Sequence, residues 1–219
     1  MRTRTQDTTR RTLLKSALMA FSLTRRGTSA DGPFDGLPPG AWKNARRNGL
    51  VMIWPNPPAN PSRSTQIAAD AEPGERLIVA GQVFTPDGST PAAGVTVYAY
   101  NTDAEGYYGV ARAEYPPRLY GWMRTDAAGR FELRTIRPGS YPGMRVPAHI
   151  HFSAWGGGYP LQWFDELRFA GDRYITPEML AQDAESGDFR GIQPLVRGQD
   201  GVLRCGFKIR LKNECNFRA

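Results

Sequence analysis

The stretch GVTVYAYN, residues 94–101, alternates along its length between two kinds of side chain. Small apolar residues hold every second position from Val95 to Ala99, and hydroxyl-bearing residues hold every second position from Thr96 to Tyr100. Because side chains of an extended chain point alternately to opposite faces, this period of two indicates a β-strand rather than a helix. The stretch therefore predicts one strand of a β-sheet.

Short runs of the same character surround this strand, and turn signals such as PDGSTP separate them. They are RLIVAGQVFT (76–85), RLYGWMRT and RFELRT around DAAG, AHIHFSAW, DELRFAG and VLRCGFKIRL. Only residues 177–186, which begin with Pro177, predict a short helix. Many strands with little helix predict an all-β fold, an antiparallel β-sandwich that occupies residues 74–219.

The segment before the sandwich, residues 31–73, is rich in Pro, Gly, Asn and Ala. It contains DGPFDGLPPGAW and WPNPPANPSRS. Such prolines exclude long helices and central strands. We expect an irregular, extended arm that wraps the domain or a neighbouring subunit.

The first 30 residues have the layout of a twin-arginine export signal. Arg10 and Arg11 precede a short apolar run, and TSA at 28–30 resembles a cleavage site. Arg25 and Arg26 depart from that layout, and a basic, disordered N-terminus is the alternative interpretation. The apolar run is too short for a permanent membrane helix. We expect no membrane span and a periplasmic or secreted product.

The positive charge of the chain is concentrated in this N-terminal segment. The whole chain has a formal net charge of +7, but residues 1–30 contain seven Arg or Lys and one Asp. The remaining residues, 21 basic and 20 acidic, are nearly balanced. This balance argues against a nucleic-acid-binding surface.

Two cysteines, Cys205 and Cys215, lie close together near the C-terminus. In an exported protein they favour a disulfide that fixes the tail, and two free thiols are the alternative.

The two histidines of the chain, His149 and His151, stand two positions apart in the run RVPAHIHFSAWGGG. On a strand both imidazoles point to the same side, close enough to bind one metal ion. Candidate partners are Tyr107 and Tyr108, Tyr141 in a proline-flanked turn, and Asp165 and Glu166. The spacing predicts a metal site without naming the metal.

Four stretches in order resemble the intradiol ring-cleaving dioxygenases, in particular those of the protocatechuate 3,4-dioxygenase type. They are AGVTVYAYNTDAEGYYG, RTDAAGRFELRTIRPGSYP, RVPAHIHF and ELRFAGD, which cover about residues 74–172. The resemblance implies a β-sandwich enzyme with a non-haem Fe(III) ion as its cofactor. The implied ligands are Tyr108, Tyr141, His149 and His151, with Tyr107 in place of Tyr108 if the register slips by one.

This ligand set is chemically consistent with Fe(III), a hard and highly charged ion that suits anionic oxygen donors. The resemblance implies that a catechol-type diol, protocatechuate-like or larger, binds through both oxygens while Tyr141 leaves and takes up a proton. O2 then opens the ring between the two oxygen-bearing carbons, without an organic cofactor. The resemblance leaves open whether the subunit works alone, as a homo-oligomer or with a partner chain.

The chain departs from the family pattern at two positions. The family usually has arginine immediately before its Pro-Ala-His-x-His stretch, where this chain has Val146, and Arg145 comes one residue earlier. We predict Arg145 as a catalytic cation that reaches the substrate through an irregular loop. The family tends to have glutamine where Glu166 stands. Other cations that could replace the family arginine, or simply be solvated, are Arg118, Arg124 and Arg168.

Two other classes of protein compete with this interpretation. Glu166 with the two histidines could form a two-histidine, one-carboxylate Fe(II) site, which implies extradiol cleavage or another oxygenase reaction. The strand pattern also suits a metal-free, transthyretin-like binding module of the cell envelope. A coloured protein, from a tyrosinate-to-Fe(III) charge-transfer band, would distinguish the first interpretation from both alternatives.

Overall fold

A computed structural model describes residues 58–112, 117–164 and 166–214. The strands are β1 (Ser64–Gln66), β2 (Arg76–Phe84), β3 (Thr96–Asn101), β4 (Leu119–Arg124), β5 (Arg130–Ile136), β6 (His149–Gly156), β7 (Tyr159–Trp163), β8 (Leu167–Phe169), β9 (Ile192–Gln193), β10 (Val196–Arg197) and β11 (Leu203–Arg210). The α-helix α1 spans Pro177–Ala184, and short 3-10 turns occupy Val110–Arg112 and Gly187–Phe189. The predicted all-β class with little helix is confirmed.

The strands form two sheets. The first sheet has the order β1-β5-β2-β11-β10. The second has the order β4-β3-β6-β8-β9, with β7 also paired to β6. Most neighbours are antiparallel, but the pairs β1–β5, β2–β11 and β8–β9 are parallel, so both sheets are mixed. Strands β2 and β11 are far apart in the sequence and need no hairpin, and therefore the local pattern does not fix their relative direction.

The core lies between the two sheets. In β2 alternate residues are buried, among them Leu77, Val79 and Val83. Gly81 lies opposite Phe131 in the sheet, and the Phe131 ring covers the space that a side chain at position 81 would need. Burial of a large apolar side chain contributes about 1.5–3 kcal/mol, so this interdigitated layer is the main source of stability.

Strand β3 is buried on both faces, unlike a strand at the surface of a sandwich. On one face of β3, Val97 and Ala99 belong to the core between the sheets. On the other face, Tyr98 and Tyr100 belong to a second buried cluster with Trp155. This second cluster lies on the opposite face of the second sheet from the core. It is the aromatic layer behind the candidate functional site.

The helix predicted over 177–186 is found at Pro177–Ala184. The Thr176 hydroxyl caps its N-terminus by accepting a hydrogen bond from the Met179 backbone N–H at 3.3 Å, and Pro177 occupies the first helical turn.

Cys205 is a free, buried thiol on β11, whereas Cys215 lies outside the described residues. The favoured disulfide is therefore absent at Cys205, whose side chain faces the core between the sheets.

The export signal and most of the arm fall in residues 1–57, outside the described residues. The described end of the arm is not wholly irregular, because Ser64–Gln66 forms an edge strand parallel to β5. Within the described residues, no helix has the length and apolar character needed to cross a bilayer.

Candidate metal centre

Strand β6 places His149 and His151 on the aromatic face of the second sheet. Both side chains are buried, with 4% and 7% of their surface exposed, and their Nε2 atoms lie 3.1 Å apart. Tyr100 lies directly opposite His151 on β3, and the two rings stack with their centroids 4.5 Å apart. The sheet register therefore fixes both the direction and the ring plane of this histidine.

Tyr108 reaches the histidines from the loop that follows β3. Asp103 organises this loop: its backbone N–H donates to the Tyr107 carbonyl at 2.8 Å, and its carboxylate accepts from the Tyr107 N–H at 3.0 Å. Gly106 supplies a backbone φ of +94°, which residues with a side chain rarely adopt. The Tyr108 hydroxyl oxygen lies 2.7 Å from His151 Nε2.

Tyr141 reaches the same point from the loop between β5 and β6. Its hydroxyl oxygen lies 2.8 Å from His149 Nε2 and 3.3 Å from His151 Nε2, and it also contacts the Tyr108 hydroxyl. Tyr141 is only partly buried, whereas Tyr108 is 4% exposed. The two tyrosines therefore differ in their access to solvent.

Two phenol oxygens and two imidazole nitrogens thus converge on one point. Bonds of about 2 Å from a single ion place neighbouring ligand atoms about 3 Å apart, the spacing found here. His149 Nδ1 lies 2.7 Å from the Pro147 carbonyl oxygen, and because a carbonyl only accepts, the ring proton sits on Nδ1. The His149 Nε2 lone pair is left facing the convergence point. The residues present fit a metal ion.

The electrostatic environment keeps His151 available as a ligand. Burial lowers the pKa of His151 well below its usual value, and the positive charge of Arg168 lowers it further. The ring is therefore neutral at pH 7, which is the form that binds metals.

Comparison with known proteins identifies the family to which this site belongs. The family model Dioxygenase_C, described as a dioxygenase, matches residues 55–211. The chain belongs to the intradiol dioxygenase family. The predicted resemblance is thereby confirmed at the level of the family.

Individual relatives in the intradiol family are moderately similar. The protocatechuate 3,4-dioxygenase beta chain of Burkholderia cepacia is 32% identical over 120 residues, which are 50% of this chain and 51% of that one. The 6-chlorohydroxyquinol 1,2-dioxygenase of Cupriavidus pinatubonensis is 29% identical over 158 residues, 64% of this chain and 54% of that one. The chain spans about half the length of the curated relatives that it matches.

Solved structures show the same fold. The dioxygenase domain of a dioxygenase–carbohydrate-binding protein fusion from Streptomyces sp. SirexAA-E is 28% identical, with a TM-score of 0.53 over 71% of this chain and 90% of that one. The 3-chlorocatechol 1,2-dioxygenase of Rhodococcus opacus 1CP has a TM-score of 0.55 at 24% identity, over 74% of this chain and 72% of that one. The predicted sandwich is that of the intradiol family.

Glu166 lies beside the histidines, and its carboxylate and the two imidazoles are close enough together, within 4.8 Å, to hold a metal ion. Its Oε1 atom is 3.6 Å from His151 Nδ1 and 3.8 Å from His149 Nε2, and its Oε2 atom accepts a hydrogen bond from Arg168 at 2.8 Å. The carboxylate thus faces the Nδ1 side of His151, whereas both tyrosine hydroxyls face Nε2. Asp165, the other carboxylate considered, is outside the described residues.

The four candidate cations occupy different environments. Arg145 is exposed in the loop before β6, and Arg124 is exposed at the end of β4. Arg118 pairs with Glu72 through two hydrogen bonds. Of these four arginines, Arg168 lies on β8, which pairs with the histidine strand β6, and it stands directly opposite His149.

Tyr107 occupies a different position from Tyr108. Its partly buried ring packs against the Arg112 guanidinium, 5.7 Å from the ring centroid. The resemblance implied Tyr108, not Tyr107, as the site residue, and it is the Tyr108 hydroxyl that contacts His151.

Aromatic residues support the site, and of these the sequence suggested Trp163 as a pocket wall or an ordinary core residue but did not single out Tyr100. Tyr100 stacks on His151, and Trp163 lies with its ring centroid 5.3 Å from the same histidine. The alternation of β3 was a usable signal for Tyr100, because it places that ring on the face opposite to Val97 and Ala99. The pairing of Glu166 with Arg168 has no comparable signal in the sequence.

Proposed function

We propose that this protein is an intradiol dioxygenase that inserts both atoms of O2 into a catechol-type aromatic. The ring opens between the two hydroxylated carbons, and Fe(III) is the cofactor. One observation supports this above all: the Tyr108 and Tyr141 oxygens and both histidine Nε2 atoms meet at one point. A metal-free binding module gives no reason for this convergence, and a two-histidine, one-carboxylate site leaves both tyrosines without a role.

Each of the four residues has a distinct part in the reaction. A bound Fe(III) ion would supply Lewis acidity and a template for the two substrate oxygens. Strand β6 holds the imidazoles of His149 and His151 in place, and the Pro147 carbonyl also orients that of His149. Tyr108 is buried and remains in position, whereas the less buried Tyr141 moves aside. The Tyr141 oxygen accepts the proton of one incoming substrate hydroxyl and so leaves that oxygen anionic.

The substrate class proposed is an aromatic ring with two adjacent hydroxyl groups, with a protocatechuate-like compound as the first candidate. The relatives named above act, by their names, on protocatechuate, 6-chlorohydroxyquinol and 3-chlorocatechol. Arg145, exposed in the loop between Tyr141 and β6, is the proposed contact for an anionic substituent of the substrate. It remains a prediction that substitution of Arg145 raises KM for carboxylated rings more than for catechol.

The proposal is tested with the iron-loaded protein and a panel of catechol, protocatechuate, hydroxyquinol and chlorocatechols. We expect a broad visible charge-transfer band, oxygen uptake with at least one compound, and a muconate-type diacid as product. The double variant His149→Ala/His151→Ala is the matched control and should lose the band and the uptake. A colourless iron-loaded protein, or cleavage outside the two hydroxylated carbons, would overturn the proposal.

We also propose that residues 1–30 direct export through the twin-arginine route to the periplasm or the medium. The support is the sequence layout around Arg10 and Arg11. A reporter fused to residues 1–35 should leave the cytoplasm, and Arg10→Lys with Arg11→Lys should retain it there. Export that survives the double substitution would contradict this route.

A further inference from the structure

We propose that Glu166 is the outer hydrogen-bond acceptor of His151, and that Arg168 holds the Glu166 carboxylate away from the metal ion. Glu166 and Arg168 are then positioning residues, because they act through His151 and not on the substrate. This inference rests on the metal centre proposed above and extends it to residues outside the set of four.

The two histidines differ on the side turned away from the convergence point. His149 Nδ1 has the Pro147 carbonyl oxygen at 2.7 Å. His151 Nδ1 is fully buried and makes no hydrogen bond within the described part of the chain. The Glu166 Oε1 atom, at 3.6 Å, is a charged acceptor just beyond hydrogen-bond distance from it.

The position of the His151 ring proton explains why Nδ1 and Glu166 Oε1 are 3.6 Å apart without a metal, and why they form a hydrogen bond when a metal is bound. Without a metal, the proton of His151 can sit on Nε2 and face a tyrosine oxygen, which leaves the Nδ1 lone pair turned towards a carboxylate. These two acceptors repel each other, in keeping with the 3.6 Å separation. When a metal ion takes the Nε2 lone pair, the proton must sit on Nδ1, and Glu166 becomes its acceptor. A carboxylate in that place also makes the imidazole a stronger ligand.

Arg168 determines which of these roles Glu166 takes. Its guanidinium donates to Glu166 Oε2 at 2.8 Å, so one carboxylate oxygen is already used. Arg168 also faces His149 across the β6–β8 pair, which places it on the same side of the sheet. The other oxygen, Oε1, lies 3.6 Å from His151 Nδ1 and 3.8 Å from His149 Nε2, and the bond from Arg168 keeps it from moving closer to His149. The ion pair is charge-neutral, which suits a partly buried position.

The test compares Glu166→Ala and Glu166→Gln with the wild-type protein. Iron affinity is measured by competition with a chelator, and the buried N–H is observed by NMR in protein loaded with Ga(III), a diamagnetic trivalent ion. Glu166→Ala should weaken iron binding about 10- to 100-fold and speed solvent exchange of the His151 Nδ1 proton. Glu166→Gln keeps a neutral acceptor, so it should retain most of the affinity while the charge-transfer band shifts. Glu75→Ala, which removes an exposed carboxylate paired with Arg197, is the matched control and should change neither measurement.

The outcomes separate this inference from the proposed function. If the wild-type protein binds iron and opens the ring while Glu166→Ala keeps its iron affinity and its Nδ1 proton signal, only this inference is overturned. If the wild-type protein binds neither iron nor gallium, both fail. For Arg168→Met we expect an altered charge-transfer band, because the freed carboxylate approaches the metal; an unchanged band would overturn the role given to Arg168.

Discussion

Gly139 lies so close to Ala104 that a Cβ atom at position 139 would stand 2.5 Å from the Ala104 carbonyl oxygen. The contact is reciprocal, because a Cβ at Gly106 would stand 2.1 Å from the Ser140 carbonyl oxygen. The Gly139 N–H also donates to the Asp103 carbonyl at 2.8 Å. The two loops that carry Tyr108 and Tyr141 therefore meet backbone to backbone, and this contact sets the distance between the two hydroxyl groups.

We expect Gly139→Ala to impair the metal centre more than the fold. The added methyl group has no space and no flexible neighbour to displace, so one of the two loops must move. Iron affinity should fall at least tenfold and the charge-transfer band should weaken, while the circular dichroism spectrum is retained. Chelator competition provides the measurement. Gly206→Ala is the control, because a Cβ at that position meets nothing within 4 Å; equal iron affinities of the two variants would contradict the argument.

Removal of either histidine of β6 should abolish iron binding and activity together. His149→Ala and His151→Ala each delete one nitrogen ligand and leave three donors, so iron content by elemental analysis should fall to near background. Tyr107→Phe is the comparison, since its side chain packs against Arg112 and not against the histidines. That variant should keep both its iron and its oxygen uptake. Iron retained at wild-type level after either histidine substitution would show that the metal lies elsewhere.

Local pattern and resemblance were sufficient to predict which four side chains lie together, whereas their binding of a metal stays a prediction. The alternation of β3, the two histidines two positions apart and the turn at Tyr141 are all signals within a few residues, and each was placed correctly on its strand or loop. The order of the four family-like stretches added Tyr108, which no local pattern distinguishes from Tyr107. The sequence thus predicted those site residues that the alternation of a strand or a family-like stretch marks.

The remainder depends on partners that are distant in the sequence. Strands β2 and β11 run parallel because of how the sheet assembles from distant parts of the chain. The alternation of side chains within each strand does not encode this direction. Arg118 was a candidate substrate cation, but Glu72 lies 46 residues earlier and pairs with it. The contact between Gly139 and Ala104 likewise joins two loops whose proximity only the folded sheet creates.

The two tyrosines should respond differently to loss of the hydroxyl group. Tyr108→Phe removes the buried donor that stays in place, so iron affinity should fall strongly, about tenfold or more. Tyr141→Phe removes the donor that we expect to move aside, so substrate-bound spectra should resemble the wild type while kcat falls, because no phenolate accepts the substrate proton. Iron titration and spectra with bound catechol provide the measurements. Equal losses of affinity in the two variants would contradict the assignment of the exchanging tyrosine.

Arg118 should stabilise the protein and hold the Tyr108 loop, instead of contacting substrate. Its guanidinium pairs with Glu72, and its backbone N–H donates to the Tyr108 carbonyl at 2.8 Å. The hydrogen bond from Arg118 lowers the pKa of Glu72 below its ordinary value of 4.5. The pair therefore stabilises the fold fully above that pH, and the contribution is lost as the pH falls through the lowered pKa.

Arg118→Met should accordingly cost about 1.5–3 kcal/mol of unfolding free energy at pH 7, a range typical of a hydrogen bond to a charged group. The loss should shrink as the pH falls below 4.5 and through the lowered pKa of Glu72, since the wild-type protein loses the same contribution there. Urea unfolding at several pH values measures both effects. Arg124→Met, in which an exposed arginine of β4 is removed, is the control and should alter stability by less than about 0.5 kcal/mol. A cost for Arg118→Met that is independent of pH would show that the ion pair with Glu72 is not its source.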